Sequence, residues 1–214
     1  MTKMKIPLNR SNLLVPRNSY SFFVFMLAAL WLVGCARPPG FGVGGRYLDA
    51  KQEMANARSG DITKTITLLE SVAVKDPQYK DTLTLLGRAY YRAGRYADAL
   101  QVLKRALALD KKDEIAWIAL GLAQLQVGDD DNGLDSFKGG ITLLSRVAKE
   151  GYRRVDDWDK KGLVRSALRR AAFAVLKGVE NKPAVIESGE TLLTRIDQEE
   201  RLGKIEEQEE QRVN

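Results

Sequence analysis

Residues 83–106 read LTLLGRAYYRAGRYADALQVLKRA, and residues 117–140 read WIALGLAQLQVGDDDNGLDSFKGG. The two stretches lie 34 residues apart, and apolar or small residues recur at matched positions. The matched pairs are Leu83 and Trp117, Leu86 and Leu120, Gly87 and Gly121, Tyr90 and Gln124, Gly94 and Gly128, Ala99 and Gly133, Leu103 and Phe137, and Ala106 and Gly140. In each stretch the spacing places the matched residues before the turn glycine, Gly94 or Gly128, on one face of a helix. It places the matched residues after that glycine on the facing side of a second helix. The pattern therefore predicts a repeated pair of helices joined at a turn glycine.

A period of 34 residues with this order of residues resembles the tetratricopeptide repeat. The resemblance implies an all-α solenoid of about three helix-turn-helix repeats, with a helical cap at its C-terminal end. We place the repeats at residues 46–79, 80–113 and 114–147. The first of these is degenerate, and the cap with its charged tail takes up residues 148–214.

Repeat packing is expected to depend on apolar residues that face small ones, because small side chains let two helices approach closely. The predicted packing residues are Leu86, Gly87, Tyr90, Ala99, Leu103, Ala106, Trp117, Leu120, Gly121 and Phe137. Gly139 and Gly140 are expected to weaken the last helix of the third repeat, by about 1 kcal/mol each relative to alanine.

Two interpretations of the C-terminal region remain open. Residues 170–203 can be fitted to a fourth, degenerate repeat, but that fit lacks the turn glycine and the aromatic residue. A capping hairpin outside the repeat pattern is favoured, with the apolar face of residues 157–177 as its first helix.

The N-terminal region carries the pattern of an export signal. Residues 1–34 contain four basic and no acidic residues, and the apolar run 22–33 is 12 residues long. That is too short for a membrane span, which needs roughly 20 residues. The run ends in Leu32-Val33-Gly34-Cys35, which resembles the lipobox of bacterial lipoproteins. The resemblance implies cleavage before Cys35 and lipidation of that cysteine with palmitate-type acyl chains.

Residues 35–45, which are Cys35 and the Pro- and Gly-rich segment after it, are predicted to be a flexible tether. Ala36 stands where lipoproteins retained at the inner membrane commonly have Asp. By resemblance this favours the inner leaflet of the outer membrane, facing the periplasm, if the host has two membranes.

Composition narrows the classes of function. The whole chain carries a formal charge of +6, but residues 35–214 contain 30 basic and 28 acidic residues. This near balance argues against nucleic acid as a partner. With no histidine, and with the single cysteine assigned to lipid, the sequence indicates no catalytic residues, cofactor or metal site.

The candidate partner-binding groove is the surface formed by the first helix of each repeat, where this family usually binds ligands. Its predicted residues are Arg88, Tyr91, Arg92, Ile118, Leu122 and Leu125. The apolar members are expected to be covered. Either a partner segment or the chain's own residues 157–177 could cover them, and self-cover is favoured.

Two charged segments have simpler interpretations. Asp129-Asp130-Asp131-Asn132-Gly133 lacks the spacing of a calcium loop and is predicted to cap the next helix. Residues 146–170 contain nine basic and four acidic side chains, a stretch suited to anionic headgroups or an acidic partner, whereas residues 197–212 are acidic and expected to be a solvated helix end.

These features together predict a lipid-anchored envelope protein that binds protein partners and is not an enzyme. By resemblance, its role would be the assembly of an envelope complex, with a pilus or secretion apparatus favoured. The alternatives are a cell-wall-directed enzyme or enzyme adaptor, and a structural lipoprotein that associates with itself.

Overall fold

Helices follow one another in pairs through the described part of the chain, which is residues 42–56, 61–150 and 158–213 of a computed structural model. The helices there are α1 (Gly42–Ala55), α2 (Ile62–Lys75), α3 (Thr82–Arg92), α4 (Tyr96–Leu109), α5 (Glu114–Val127), α6 (Asp130–Glu150), α7 (Leu163–Leu176) and α8 (Lys182–Val213). A short 3-10 turn, Val179–Asn181, joins the last two. No strand occurs among the described residues.

Each helix packs against its partner in the pair, and successive pairs stack on one another. The pairs α1–α2, α3–α4 and α5–α6 correspond to the three predicted repeats, and α7–α8 follows as a fourth hairpin. First helices also contact one another, α1 with α3 and α3 with α5. The prediction of an all-α solenoid of tetratricopeptide-like helix pairs is confirmed.

Helix boundaries follow from capping residues and turn glycines. The Asp61 side chain accepts a hydrogen bond from the Lys64 amide at 3.0 Å, and Asp113 accepts one from the Ala116 amide at 2.8 Å. Each thereby satisfies an amide that has no partner within its own helix. Gly94 and Gly128 turn the chain between paired helices with φ of +73° and +86°, which side chains disfavour.

Close helix approach explains the glycines at matched positions. A Cβ added at Gly87 would lie 2.4 Å from Cγ of Leu103, and one at Gly121 would lie 2.5 Å from the backbone nitrogen of Phe137. Both distances are far below a normal contact, so the paired helices meet only because these residues lack side chains.

Gly139 and Gly140 differ from each other, contrary to the expectation that both simply weaken α6. A Cβ at Gly140 would lie 2.7 Å from the backbone nitrogen of Ile118, whereas one at Gly139 would meet nothing within 4 Å. Gly140 therefore allows α6 to approach α5, and only Gly139 is a pure propensity cost.

The C-terminal hairpin does not continue the 34-residue register. α6 is 21 residues long and runs to Glu150, and α7 begins only at Leu163. The alternative fourth repeat over 170–203 would begin in the middle of α7 and place Phe173 and Leu176 inside a helix pair. Those side chains are 62% and 78% exposed, so that alternative was wrong.

The first helix begins earlier than predicted, because residues 42–45, assigned to the tether, are helical. Tyr47, Ala50 and Met54 are buried along one face of α1. Val43 extends that packing upstream, and the backbone at Gly44 lies against the Tyr79 hydroxyl. The tether prediction was therefore wrong for these four positions.

Residues 1–41, with Cys35 and the predicted signal, lie outside the described residues, as do 57–60 and 151–157. Among the helices that the structure describes, none is long and apolar enough to cross a membrane.

Candidate partner-binding site

The inner surface, defined as the surface formed by α1, α3 and α5, is partly covered by α8. α7 packs against α6 as the next helix of the stack, and the turn after it reverses the chain. α8 then contacts both α5 and α1. Self-cover of the inner surface was the favoured prediction, but its assignment to residues 157–177 was wrong, since α8 is the covering helix.

Apolar packing holds α8 against the third repeat. Ile118, Leu122 and Leu125 are fully buried. A Cβ at Gly189 of α8 would lie 2.6 Å from Cε2 of Phe137 and 2.8 Å from Cδ2 of Leu122, so α8 reaches the repeat at a position without a side chain. The apolar patch predicted on α5 is thus part of the protein's own core.

Four polar contacts continue this attachment along the length of α8. Their partners are Lys182 with Asp130 at 2.7 Å, Glu190 with Tyr91 at 2.7 Å, Asp197 with Arg88 at 2.6 Å, and Glu200 with Lys51 at 2.7 Å. They tie α8 in turn to α6, α3 and α1. Spacings of 8, 7 and 3 residues keep the α8 members near one face of the helix.

The three polar residues predicted to bind a partner form contacts within the protein. Arg88 pairs with Asp197, the Tyr91 hydroxyl donates to Glu190, and Arg92 donates to the carbonyl oxygen of Met54 at 2.7 Å. The structure therefore brings the six predicted groove residues together and buries five of them, whereas the Arg92 side chain remains exposed.

Burial and neighbouring charges shift the pKa values of Arg88, Tyr91 and Arg92. Burial would lower the pKa of Arg88, but the charge and hydrogen bond of Asp197 outweigh it and raise that pKa above its usual value. Burial raises the pKa of Tyr91, with the bond to Glu190 adding to the effect. Burial and the neighbouring charge of Arg88 lower the pKa of Arg92. At neutral pH the cluster holds charged arginines and a protonated tyrosine.

A cavity of about 810 Å³ remains between the inner surface and residues 196–201 in the middle of α8. Its apolar lining includes Leu48, Leu109, Ile115, Val147 and Ile196. This volume lies within the range of ligand pockets, so the cavity is large enough to accept side chains of a partner segment.

Acidic side chains collect at the end of the cavity where repeats two and three meet. They are Asp81, Asp110, Asp113 and Glu114. Asp113 accepts hydrogen bonds from the Thr84 hydroxyl and the Ala116 amide, yet burial raises the pKa of Asp113 above its usual value. Asp81 also accepts a hydrogen bond from the Tyr47 hydroxyl. Four basic residues line the cavity as well: Lys51 and Arg88 are paired with α8, Lys80 lies near the rings of Tyr47 and Tyr79, and Arg201 is exposed.

Sequence reasoning missed α8 as the covering helix and the acidic end of the cavity. A signal for α8 was present: Glu190 and Asp197 are seven residues apart, among the apolar residues Val185, Leu192 and Ile196. The acidic residues of that pattern are opposite in charge to Arg88, and its apolar residues can pack against the apolar face of α5. The acidic end carried no such signal, because Asp81 and Asp113 are brought together only by the stacking of repeats.

The acidic run 129–133 spans the start of α6, with Asp130 and Asp131 in the first turn of the helix. Asp129 lies just before α6, and the Asn132 amide group donates to its carboxylate at 2.8 Å, while Asp130 pairs with Lys182. Within the described residues no group of three or more metal-ligating side chains is arranged to hold a metal ion.

Residues 56–125 match the family model of the tetratricopeptide repeat. The match runs from the second helix of the first repeat to the first helix of the third, which is where the structure has stacked helix pairs. The comparison with curated proteins gives no match for this chain. Tetratricopeptide repeats generally serve as non-catalytic modules that bind proteins, so fold and family match together indicate a protein-interaction scaffold.

Proposed function

We propose that this protein is a lipid-anchored adaptor of the bacterial envelope that holds a protein partner in the cavity between its inner surface and α8. The observation that carries the proposal is the cavity itself, about 810 Å³ in size and framed by helices of all three repeats and α8. The client is a component of an assembling envelope complex, with a pilus or secretion apparatus as the favoured case.

The lining of the cavity indicates the partner's chemistry. The exposed apolar side chains Leu48 and Leu109 offer contact area, and the acidic end favours a basic group. We therefore expect a partner segment that presents an apolar residue close to a Lys or Arg.

The anchor is proposed at Cys35, supported by the lipobox-like sequence. Only six residues separate Cys35 from Gly42, where α1 begins. Even fully extended, this link spans at most about 25 Å, so a lipidated Cys35 would keep the repeats close to the membrane. Labelling cells with an alkyne fatty acid tests this, since the label is expected on the wild type and lost in Cys35→Ser.

In-cell photocrosslinking of the full-length protein tests the binding site. A photoreactive residue is placed at Leu48 or Leu109, which line the cavity, and at Val74 or Val127 as controls. Leu109 and Val127 form a matched pair, because their side chains are 53% and 48% exposed. We expect one shared crosslinked partner from Leu48 and Leu109 and none of it from the controls. The same partner from all four positions, or from the controls alone, would place binding elsewhere.

A further inference from the structure

Exposed apolar side chains are concentrated on and just after α7. Of the eight large hydrophobic side chains exposed among the described residues, four lie between residues 163 and 179. They are Leu163, Phe173, Leu176 and Val179, at 38%, 62%, 78% and 41% exposure. The opposite face of α7 packs against α6 and α8, so these side chains point away from the core.

Basic side chains surround this apolar group. Arg169, Arg170 and Lys177 are exposed, and Lys177 Nζ lies 4.9 Å from the centre of the Phe173 ring. α7 contains no Asp or Glu. Arg169 and Arg170 form no ion pair within the described part of the chain, whereas Arg165 pairs with the buried Asp159 at 3.1 Å. The nearest acid after the patch is Glu180.

We propose that this outer face of α7, defined by Arg169, Arg170, Phe173, Leu176 and Lys177, docks on an anionic phospholipid surface. Amphipathic helices bind such surfaces by inserting aromatic and aliphatic side chains at the headgroup boundary while basic side chains meet the lipid charges. Arg169, Phe173 and Leu176 are spaced to share one helix face, so insertion and charge contact occur together.

Charge favours a lipid surface over a second copy of the chain. In a symmetric dimer through this face, Arg169, Arg170 and Lys177 would meet the same cations of the other copy without intervening acids. An anionic bilayer instead neutralises all three. The α7 residues of the patch do not line the cavity, so lipid docking and partner binding use separate surfaces.

A site-specific quenching experiment on the full chain tests the proposal. Cys35→Ser removes the single cysteine, and Leu176→Cys or, as control, Val74→Cys then carries a fluorophore. Accessibility to a water-soluble quencher is measured on vesicles of phosphatidylglycerol mixed with phosphatidylcholine, on pure phosphatidylcholine, and without vesicles. Residues 22–33 are present in every variant, so any vesicle attachment that they cause is common to the probes at positions 176 and 74.

We expect quenching at position 176 to fall on anionic vesicles only, and to remain unchanged at position 74. High salt and Arg169→Glu/Arg170→Glu should each abolish most of the protection. Equal accessibility at both positions, or equal protection on neutral vesicles, would overturn the proposal. Protection without vesicles that grows with protein concentration would also overturn it, and would assign the face to a second copy.

Discussion

Arg88 Nη2 and Asp197 Oδ2 lie 2.6 Å apart, although their positions in the chain differ by 109 residues. This ion pair joins the first helix of the second repeat to the helix that closes the inner surface. Both side chains are largely buried, at 11% and 21% exposure. Removing one partner therefore leaves a charge that water reaches poorly.

Breaking the pair should destabilise the protein more than replacing it whole. Asp197→Ala is expected to lower the free energy of unfolding by about 2–3 kcal/mol, because Arg88 is left without its counter-charge. The double variant Arg88→Met/Asp197→Ala should lose less than the sum of the single changes. Urea denaturation of the wild type, the two single variants and the double variant gives the four free energies of unfolding that the comparison needs.

The exposed pair Arg95–Asp98 provides the control for this cycle. Its side chains are 49% and 43% exposed, so Asp98→Ala should destabilise the protein much less than Asp197→Ala does. An equal loss at both sites would mean that burial of the Arg88–Asp197 pair has no energetic consequence.

The neighbouring glycines of α6 should respond in opposite directions to alanine. Gly139→Ala is expected to stabilise the protein by about 0.5–1 kcal/mol, since its Cβ meets open space. Gly140→Ala should destabilise it by about 1–3 kcal/mol, because its Cβ would collide with the backbone of α5. Thermal or urea unfolding compares them directly, and stabilisation by both would contradict the close α5–α6 approach.

Tyr90 should lose its proton only at strongly alkaline pH. Burial, with a 2.6 Å hydrogen bond to Glu70, raises the pKa of Tyr90 to about 12. The folded state thus holds this proton more tightly than the unfolded state, whose pKa is 10.0. The resulting stability is present below pH 10 and is lost as pH rises through about 12.

Absorbance titration of tyrosinate in wild type and Tyr90→Phe isolates this group. Glu70→Gln should lower the pKa of Tyr90, because it removes the negative charge of the carboxylate that accepts the hydrogen bond of the Tyr90 hydroxyl. Because the pKa of Tyr90 is about 12, the titration curves of the wild type and Tyr90→Phe should coincide below about pH 11. If Tyr90→Phe instead loses a tyrosine that titrates near pH 10, the assignment is contradicted.

Asp113 should make stability depend on pH in the acid range. Burial raises its pKa from the unfolded value of 3.8, so its contribution is greatest below that value and declines as pH rises through the higher folded pKa. Asp113→Asn keeps a capping oxygen without the charge. The variant should therefore gain stability relative to wild type between about pH 4 and about pH 7. Urea denaturation at both pH values measures this, and a constant difference would count against a buried charge at this site.

Repeat organisation could be predicted because local sequence determines it. Gly87 with Leu103 and Gly121 with Phe137 recur at one period, and each pair meets within one helix hairpin. The position of α8 depends instead on contacts between distant segments, such as Arg88 with Asp197. The spacing of polar and apolar residues in α8 indicates a helix with a face to bury, but the 34-residue repeat does not show which surface that face covers. Residues 157–177 were favoured as the cover because their apolar face is prominent, but part of that face, Phe173 and Leu176, is exposed.

The start of α1 shows the same limit at a smaller scale. Gly and Pro content indicated a tether up to residue 45, yet Val43 and Gly44 pack against the first repeat. Tertiary contacts here outweigh the low helix propensity of glycine. Composition could not show this, because the contact partner Tyr79 lies at the far end of the repeat.

The salt bridge between Lys51 and Glu200 connects the first described helix to the last. In an open array each repeat touches only its neighbours, so terminal repeats can fray while the centre stays folded. Here the first repeat cannot fray without releasing α8, and α8 cannot leave without uncovering the third repeat. The first repeat, α8 and the third repeat therefore stabilise one another, and the described helices should unfold in one cooperative transition.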